Sequence, residues 1–368
     1  MTGGAGVAHL HLCGDPYEVG RQHGAALAGP LRGFVDDSLC RLNLLVDEPV
    51  TTAGLEPVLS AFDKVITAEL PRLAEEITGL ADGIGIHRDQ ALLLQLRREI
   101  LGYRKIPARG DCTTYAKAGS HPVLAQTVDL NGDLDDQISV LDVRLTGSPR
   151  RALVLSFAGL LGYLGVNSDG LAVGLNLVLG GDWKPGVPPY LAIRHVLDSA
   201  ATVDEAVECL RGLPLASSRS FMLCDAGKAV WVEALDGRFR CLEAQQAEHT
   251  NHFLHPEFEP FDEINVFARN SSRRRLEACR AGLAAMAPAA GVEEHFALLS
   301  VPPIRVVGTG DVRYERTVAA AVALPGSGEL YIRPGDPATS VTREFTFADP
   351  DCCTAGVPIH KDMDTAER

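Results

Sequence analysis

The period of the hydrophobic pattern changes at Cys112, and this change constrains the fold more than any other feature of the sequence. Before Cys112, apolar residues recur at steps of three and four, as in residues 15–46 and 71–85, which predicts helices. After it, short segments rich in β-forming residues are separated by Gly, Asn, Asp and Pro, which predicts antiparallel strands. The sequence therefore predicts an α+β protein whose first part is mostly helical.

Local signals refine this pattern. Asp15 and Pro16 have the residue types of a helix N-cap and first helical position, whereas Gly83 and Gly85 are typical of a helix end. Further helices are predicted at 188–200, 202–213 and 270–287, and further strands at 220–226, 228–234, 238–244, 317–324 and 329–335. Helices before and after the strands predict helix layers on both sides of antiparallel sheets, in one compact domain. Residues 358–368 are expected to be disordered.

Composition excludes several classes of protein. The net charge is −14 and there is no basic run, so we expect no nucleic-acid partner. No apolar run approaches the roughly 20 residues that span a bilayer, and the N-terminus does not read as a secretory signal. The nine cysteines are irregularly spaced, without a C-x-x-C pair, which argues against a disulfide framework. We therefore expect a cytoplasmic protein.

The densest group of possible metal ligands is His249, His252 and His255, with Asp262 nearby. Three-residue spacing could place imidazoles on one helical face, but two prolines in the same stretch break any helix. His9 and His11 alternate like strand residues and are read as structural, and no phosphate-binding or dinucleotide-binding loop is present. The sequence therefore predicts no metal and no resident cofactor.

The stretch "ARGDCTTYAK" (108–117) contains the strongest candidate for chemistry, Cys112. A lone cysteine is often a small core residue, and this reading stays open. In the other reading, the Cys112 thiolate attacks the carbonyl of Asp111, an N-to-S acyl shift forms a thioester, and its hydrolysis releases a new N-terminus. Its α-amine, with a pKa of about 7.7–8.0, could serve as the general base for the thiol.

Seven short stretches favour the second reading, because together they resemble the autoproteolytic acyltransferases related to isopenicillin N acyltransferase. These are the C45 peptidase group of the N-terminal nucleophile (Ntn) hydrolases. The stretches, in chain order, are "GDPYEVGRQHG", "GDCTTYAK", "AQTVDL", "NSDGLAVGLN", "LASSRSFMLCDA", "HTNHF" and "LYIRPGDP". The resemblance implies a four-layer αββα Ntn sandwich with antiparallel sheets. It also implies cleavage into segments 1–111 and 112–368, which stay associated as one domain.

The resemblance also implies roles for four residues. Cys112 matches the nucleophile, and Asp129 matches the aspartate that orients the new α-amine. Asn176 and Asn251 match asparagines that donate hydrogen bonds to the oxyanion or to the amine, a type of contact worth roughly 100- to 1,000-fold in rate. Which asparagine plays which part is not decided by the sequence.

The remaining assignments concern the substrate and the cut. Ser217 matches a pocket serine, and Arg313 matches a substrate-binding arginine, with Arg316 an equal rival. The family usually has glycine immediately before the nucleophile, whereas this chain has Asp111 there. Because glycine relieves crowding at the scissile bond, slower processing is expected here.

The function implied is acyl transfer from a small amide through a thioester on Cys112, in the setting of natural-product biosynthesis. Acyl-CoA is a possible co-substrate, and the acceptor is either water or an amine. Three alternatives are kept open: a dedicated amide hydrolase that does not use acyl-CoA, an unprocessed scaffold that only binds, and, with less support, a papain-like protease.

Overall fold

The computed structural model describes residues 6–103 and 112–348. The helices are α1 (Pro16–Ala26), α2 (Ala28–Asp36), α3 (Thr52–Glu69), α4 (Pro71–Ile84), α5 (Arg88–Tyr103), α6 (Pro189–Ser199), α7 (Val203–Arg211), α8 (Val266–Ala285) and α9 (Val292–Leu299). Helices thus dominate the part of the chain before Cys112, as the hydrophobic pattern predicts.

The strands form two sheets. They are β1 (Ala8–Gly14), β2 (Thr114–Lys117), β3 (Val123–Leu130), β4 (Ile138–Leu145), β5 (Arg151–Phe157), β6 (Leu164–Asn167), β7 (Ala172–Leu177), β8 (Arg219–Cys224), β9 (Ala229–Leu235), β10 (Arg238–Ala244), β11 (Gln246–His249), β12 (Arg316–Leu324), β13 (Glu329–Pro334) and β14 (Arg343–Phe345). The larger sheet has the order β1-β4-β5-β6-β7-β8-β9-β10, and the smaller sheet has the order β11-β2-β3-β12-β13-β14.

The two sheets pack face to face, with β2 and β3 of the smaller sheet against β7 and β8 of the larger one. Helices α6 and α7 cover the outer face of the larger sheet, and α8 and α9 cover the smaller sheet. On β3, Leu124 and Val128 point into the core between the sheets, whereas Val123 and Ala125 join the core under α8 and α9. The predicted four-layer αββα sandwich is confirmed.

One strand pair departs from the predicted antiparallel order. Strand β1 pairs with β4 in parallel, with Leu10 opposite Leu141. A parallel pair needs a long connection, and here that connection contains α1 to α5 and the β2–β3 hairpin. The first strand therefore fastens the helical segment to the edge of the larger sheet.

The predicted helix signals are right with one exception. The Asp15 side chain accepts a hydrogen bond from the Glu18 backbone N–H and caps α1, and Gly85 ends α4 in the left-handed conformation. Gly83, however, lies inside α4, so its prediction as a helix end was wrong. A Cβ atom at Gly83 would lie 2.2 Å from the carbonyl oxygen of Arg21 in α1. Gly83 is therefore needed for the close approach of α1 and α4.

Two further features bear on the setting of the protein. Cys13 is disulfide-bonded, whereas the other six cysteines in the described ranges are free. A disulfide is not favoured in a reducing compartment, so the cytoplasmic assignment stays a prediction. Within residues 6–103 and 112–348, no helix is both long enough and apolar enough to cross a membrane. Residues 358–368 lie outside the described residues.

Candidate active site

Cys112 lies between the two sheets, immediately before β2, and its side chain is 4% exposed. The hairpin of β2 and β3 fixes this position, because the Thr113 backbone N–H donates to the Thr127 hydroxyl at 3.0 Å. The Thr113 carbonyl in turn accepts from the Thr127 N–H at 2.9 Å. The backbone around Cys112 is therefore held on the strand that also carries Asp129.

Two side chains from distant elements hold the carbonyl oxygen of Cys112. Asn176 donates to it through Nδ2 at 2.8 Å, and Arg275 of α8 donates through Nη1 at 2.9 Å. Arg275 Nη1 also donates to the Thr113 hydroxyl at 3.2 Å. The peptide plane of Cys112 is thereby fixed from both sheets and from a covering helix.

Close approach of the sheets makes the Asn176 contact possible. Gly174 lies two residues before Asn176 on β7 and shares its face of the sheet. A Cβ atom at Gly174 would lie 2.6 Å from Gln126 Oε1. The Gln126 side chain also spans the gap, donating to the Leu175 carbonyl and accepting from the Leu175 N–H. Glycine at 174 thus lets Asn176 reach the carbonyl oxygen of Cys112.

The sulfur of Cys112 has two polar neighbours. The backbone N–H of Asp129 donates to Sγ at 3.4 Å, and the Tyr163 hydroxyl lies 3.6 Å from Sγ. Tyr163 is packed between aromatic rings, since it stacks on Tyr190 at 5.3 Å and meets the edge of Phe157 at 5.1 Å. The sulfur of Cys112 therefore has one backbone N–H donor and one hydroxyl group within hydrogen-bonding distance.

The Asp129 carboxylate is buried, on the residue whose backbone N–H contacts the Cys112 sulfur. Its Oδ1 accepts a hydrogen bond of 2.6 Å from Thr317, which is the residue opposite Asp129 on β12. A register shift between Thr317 and Ala319 interrupts the ladder at this point, and the Thr317 hydroxyl also accepts from the Val306 N–H. The irregular strand therefore aims a hydroxyl at the carboxylate.

Asn251 binds Arg275, which in turn binds the carbonyl oxygen of Cys112. Its Oδ1 accepts from Arg275 Nη2 at 2.7 Å, while its Nδ2 donates to the Leu177 carbonyl at 3.0 Å. The backbone N–H of Asn251 donates to the Ser272 hydroxyl at 2.8 Å. Asn176 thus contacts Cys112 directly, whereas Asn251 orients the arginine that contacts it.

Ser217 belongs to a neighbouring buried group. Its hydroxyl donates to Glu99 Oε1 at 3.1 Å, and Arg219 binds the same oxygen at 3.0 Å. Burial raises the pKa of Glu99, and the Arg219 charge opposes this shift. The Arg219 guanidinium lies over the Trp183 ring at 4.8 Å. In the structure Ser217 therefore holds a buried carboxylate.

The two arginine candidates lie in a different environment. The Arg313 side chain is 56% exposed and pairs with Asp311 at 3.1 Å. Arg316 binds Asp133 at 2.9 Å and Asp135 at 2.6 Å. The structure does not bring either guanidinium into the group of contacts around Cys112. Asp111, the residue before the predicted cut, lies outside the described residues.

A comparison with known protein families decides the relationship. The model of the family described as acyl-coenzyme A:6-aminopenicillanic acid acyl-transferase matches residues 116–339. This chain belongs to that family. The motif-based resemblance is thereby confirmed, and family membership supports an enzyme that acts on amides by acyl transfer or hydrolysis.

Individual relatives are more distant. The chain is 28% identical over 300 residues to the acyl-coenzyme A:6-aminopenicillanic-acid-acyltransferase 40 kDa form of Emericella nidulans, covering 80% of this chain and 81% of that protein. Among solved structures it is similar to a Caenorhabditis elegans N-acylethanolamine-hydrolyzing acid amidase ortholog (18% identity, TM-score 0.45, 58% of this chain and 93% of that one). It is also similar to the penicillin V acylase from Agrobacterium tumefaciens (16% identity, TM-score 0.42, 64% and 86%).

The histidine group of this family member does not converge on one point. His249 Nε2 lies 2.8 Å from Glu233, His252 Nδ1 lies 2.7 Å from the Ser272 hydroxyl, and His255 accepts from a neighbouring backbone N–H. A different group, made of His9, His11 and Asp142, has its possible ligand atoms within 4.8 Å of one another. Asp142 Oδ2 in that group is bound by Arg151 at 2.7 Å, which opposes a cation there.

Sequence reasoning missed three residues of the site: Tyr163, Arg275 and Thr317. Tyr163 lies between Gly162 and Gly165, in a stretch without a recognisable motif. Arg275 is one of three consecutive arginines in α8, and periodicity alone does not show which one contacts Cys112. Thr317 was read as an ordinary strand residue. The hydrophobic positions Leu276, Cys279 and Leu283 of α8 are buried, and they mark the inward side of this helix.

Proposed function

We propose that this chain is a self-processing enzyme in which Cys112 becomes an N-terminal nucleophile and carries the acyl group of a small amide as a thioester. The single observation that supports this most is the fixation of Cys112. Its carbonyl is held by Asn176 and Arg275, while Asp129 N–H and Tyr163 O–H approach its sulfur. A structural core cysteine needs no such arrangement.

Processing needs only the chain itself and water. The Cys112 sulfur bonds to the carbonyl carbon of Asp111 while the C–N bond to Cys112 breaks, so that the former amide nitrogen becomes a free amine. Water then cleaves the thioester, leaving a carboxylate on Asp111 and a thiol on Cys112. The carbonyl of Cys112 is held by Asn176 and Arg275 and its sulfur is contacted by the Asp129 N–H, so the residue stays in place during this exchange.

Turnover uses the amine released by processing. The amine takes the thiol proton, the thiolate attacks the substrate carbonyl, and the proton passes to the departing amine. The buried Asp129 carboxylate attracts the ammonium form and holds it beside the sulfur, with Thr317 fixing the carboxylate. The acyl group then leaves the sulfur for water or for an incoming amine.

The choice of acceptor decides between an acyltransferase and a hydrolase. The relative from Emericella nidulans is named for acyl-coenzyme A and 6-aminopenicillanic acid. We extend this to a small amide of natural-product metabolism as substrate, with acyl-CoA as a possible co-substrate. If the protein releases free acid from an amide but never exchanges acyl groups with CoA, it is a dedicated amide hydrolase.

Intact-mass spectrometry of the purified protein is the decisive test. Scaling the mass of 39.3 kDa by chain length gives pieces of about 12 and 27 kDa for a cut at 111/112. We expect both pieces from the native chain and a single 39.3 kDa chain from Cys112→Ala. Cys224→Ala is the matched control, because Cys224 is a buried free thiol whose pKa burial raises to about 12.

A second readout follows the thioester. Acid quenching after addition of acetyl-CoA should leave an acetyl mass increment on the larger piece, absent from Cys112→Ala. An uncut native chain that also takes up no acyl group from acetyl-CoA or from simple amides would overturn the proposal. The protein would then be a binding scaffold with a buried thiol.

A further inference from the structure

A small cavity lies beside the nucleophile. Its volume is about 40 Å³, and Tyr163, whose hydroxyl lies 3.6 Å from Cys112 Sγ, contributes to its wall. Leu94, Phe157 and Leu160 supply apolar parts of the lining. A space of this size holds a group of only a few heavy atoms, given that a water takes about 30 Å³ in the liquid.

A buried cation faces this cavity. Arg97 of α5 is 9% exposed and lines the cavity. Its Nε donates to the Cys40 carbonyl at 2.9 Å, and its Nη2 lies 3.4 Å from the Asn131 carbonyl. Among residues 6–103 and 112–348, Arg97 has no carboxylate partner. Burial lowers the pKa of Arg97 to about 10, so it stays charged at neutral pH.

A second donor lies next to it. Asn131 is 3% exposed and lines the same cavity, and its Nδ2 has no hydrogen-bond acceptor in the described part of the chain. The other charged residues of the lining are Arg98 and Glu315, whose formal charges cancel. Among the described lining residues, positive formal charges therefore exceed negative ones by one, and Asn131 Nδ2 is a donor without an acceptor.

A buried guanidinium without a carboxylate partner and a buried amide N–H without an acceptor both cost free energy, which an anion with two acceptor oxygens would offset. We infer that the cavity binds a carboxylate of the substrate, with Arg97 Nη1 and Asn131 Nδ2 donating to its oxygens. Arg97 and Asn131 are thus specificity-determining residues, selecting amides with a carboxylate near the reacting carbonyl. That the bound acid belongs to the substrate rests on the proposed function.

Thermal unfolding with small probes tests this without any turnover. Propionate, phenylacetate and N-acetylglycine are compared with their primary amides, on the full chain and on a Cys112→Ala background. We expect the acids to raise Tm in a concentration-dependent manner and the amides to have little effect. Arg97→Gln and Asn131→Leu should each weaken acid binding about 10- to 100-fold, as expected for lost hydrogen bonds to a charged group.

The controls separate this inference from the proposed function. Arg211→Gln removes an exposed arginine and should keep the response of the native chain. Arg97→Lys keeps the positive charge but lacks the planar guanidinium group with its paired N–H donors. Circular dichroism checks that each variant folds. Equal Tm increases by acids and amides, or unchanged acid binding in a folded Arg97→Gln or Asn131→Leu, would overturn the carboxylate site. Neither result alters the cut at 111/112, and loss of the cut does not alter the Tm readout.

Discussion

Two arginines, Arg194 and Arg275, are both completely buried, yet their partners differ in kind. Arg194 on α6 binds Glu76 of α4 through two contacts of 2.8 and 3.1 Å, and it binds Asp198 at 3.0 Å. Arg275 on α8 donates to the Cys112 carbonyl, the Thr113 hydroxyl and the Asn251 amide oxygen.

Because their partners differ, we expect Arg194 to serve the stability of the fold and Arg275 to serve the reaction at Cys112. Carboxylates around Arg194 neutralise its charge and join α6, which covers the larger sheet, to α4 of the helical segment. The Arg275 contacts instead fix the residue that we propose as nucleophile. Although both arginines are buried to the same degree, we therefore expect Arg194 to affect mainly the free energy of unfolding and Arg275 to affect mainly the rate of processing.

The largest expected effect on stability comes from Arg194→Met. Removing the cation leaves Glu76 buried without its partner, and breaking a buried pair in this way costs about 3–5 kcal/mol. Urea unfolding at pH 7 should show this loss in a variant that still cleaves at 111/112. The double variant Arg194→Met with Glu76→Leu should recover much of it, because no uncompensated buried charge remains at 76. If the free energy of unfolding of Arg194→Met alone lies within about 1 kcal/mol of that of the native chain, this account is contradicted.

The next effect is expected at Arg275. Arg275→Gln removes two donors from the backbone and side chain next to the sulfur, and we expect processing to slow by roughly 100- to 1,000-fold, as for other lost site donors. Time-resolved intact mass measures the rate, and near-UV circular dichroism checks the fold. Arg275→Lys should restore part of the rate. A rate within tenfold of the native chain for Arg275→Gln would show that Asn176 alone suffices.

The Arg275 site also shows what a sequence can reveal about a site of this type. Cys112, Asp129 and Asn176 were found because each lies in a short recognisable motif, and the structure brings the three together. Arg275 contacts Cys112 across 163 positions of sequence, and Thr317 contacts Asp129 across 188. Such contacts depend on how sheets and helices pack, which a local pattern does not encode.

The fold shows the same limit. Strands β9, β10 and β12 were predicted closely, since their apolar residues and turn signals are local. The parallel pairing of β1 with β4 was missed because it depends on the path of the whole helical segment. Gly83 was misread because a glycine at a helix end and a glycine at a close helix contact look alike in sequence. The contact with the Arg21 backbone in α1, which only the structure shows, assigns Gly83 to the close helix contact.

A buried histidine accompanies each arginine, and His23 offers a pH test of the Arg194 group. Burial and the Arg194 charge lower the pKa of His23 to about 3. Between this pKa and the unfolded value of about 6.5, only the unfolded state binds the proton, so stability falls as pH falls. From pH 7 to pH 5 the loss due to His23 is about 2 kcal/mol.

Replacing His23 with Leu should remove this contribution and flatten the pH dependence of urea unfolding by that amount. Both ring nitrogens of His23 are buried without hydrogen-bond partners in the described part of the chain, so Leu leaves no new polar group unsatisfied. Processing should be unchanged, because His23 lies beside Arg194 and not beside Cys112. An unchanged slope in His23→Leu would assign the acid sensitivity to other groups, such as His252 next to Arg275.

The smallest effect is expected for a third arginine that completes the comparison. Arg211 binds Glu208 at 2.7 Å, a contact no longer than that between Arg194 and Glu76, but its side chain is 48% exposed. Solvent screens this pair, so Arg211→Gln should change the free energy of unfolding by less than about 1 kcal/mol. Urea unfolding at low and high salt measures this, and a loss well above about 1 kcal/mol would contradict it. Arg194 also makes a second contact with Glu76 and one with Asp198. The difference between Arg211 and Arg194 therefore reports burial together with the number of carboxylate contacts, and not the length of the shortest contact.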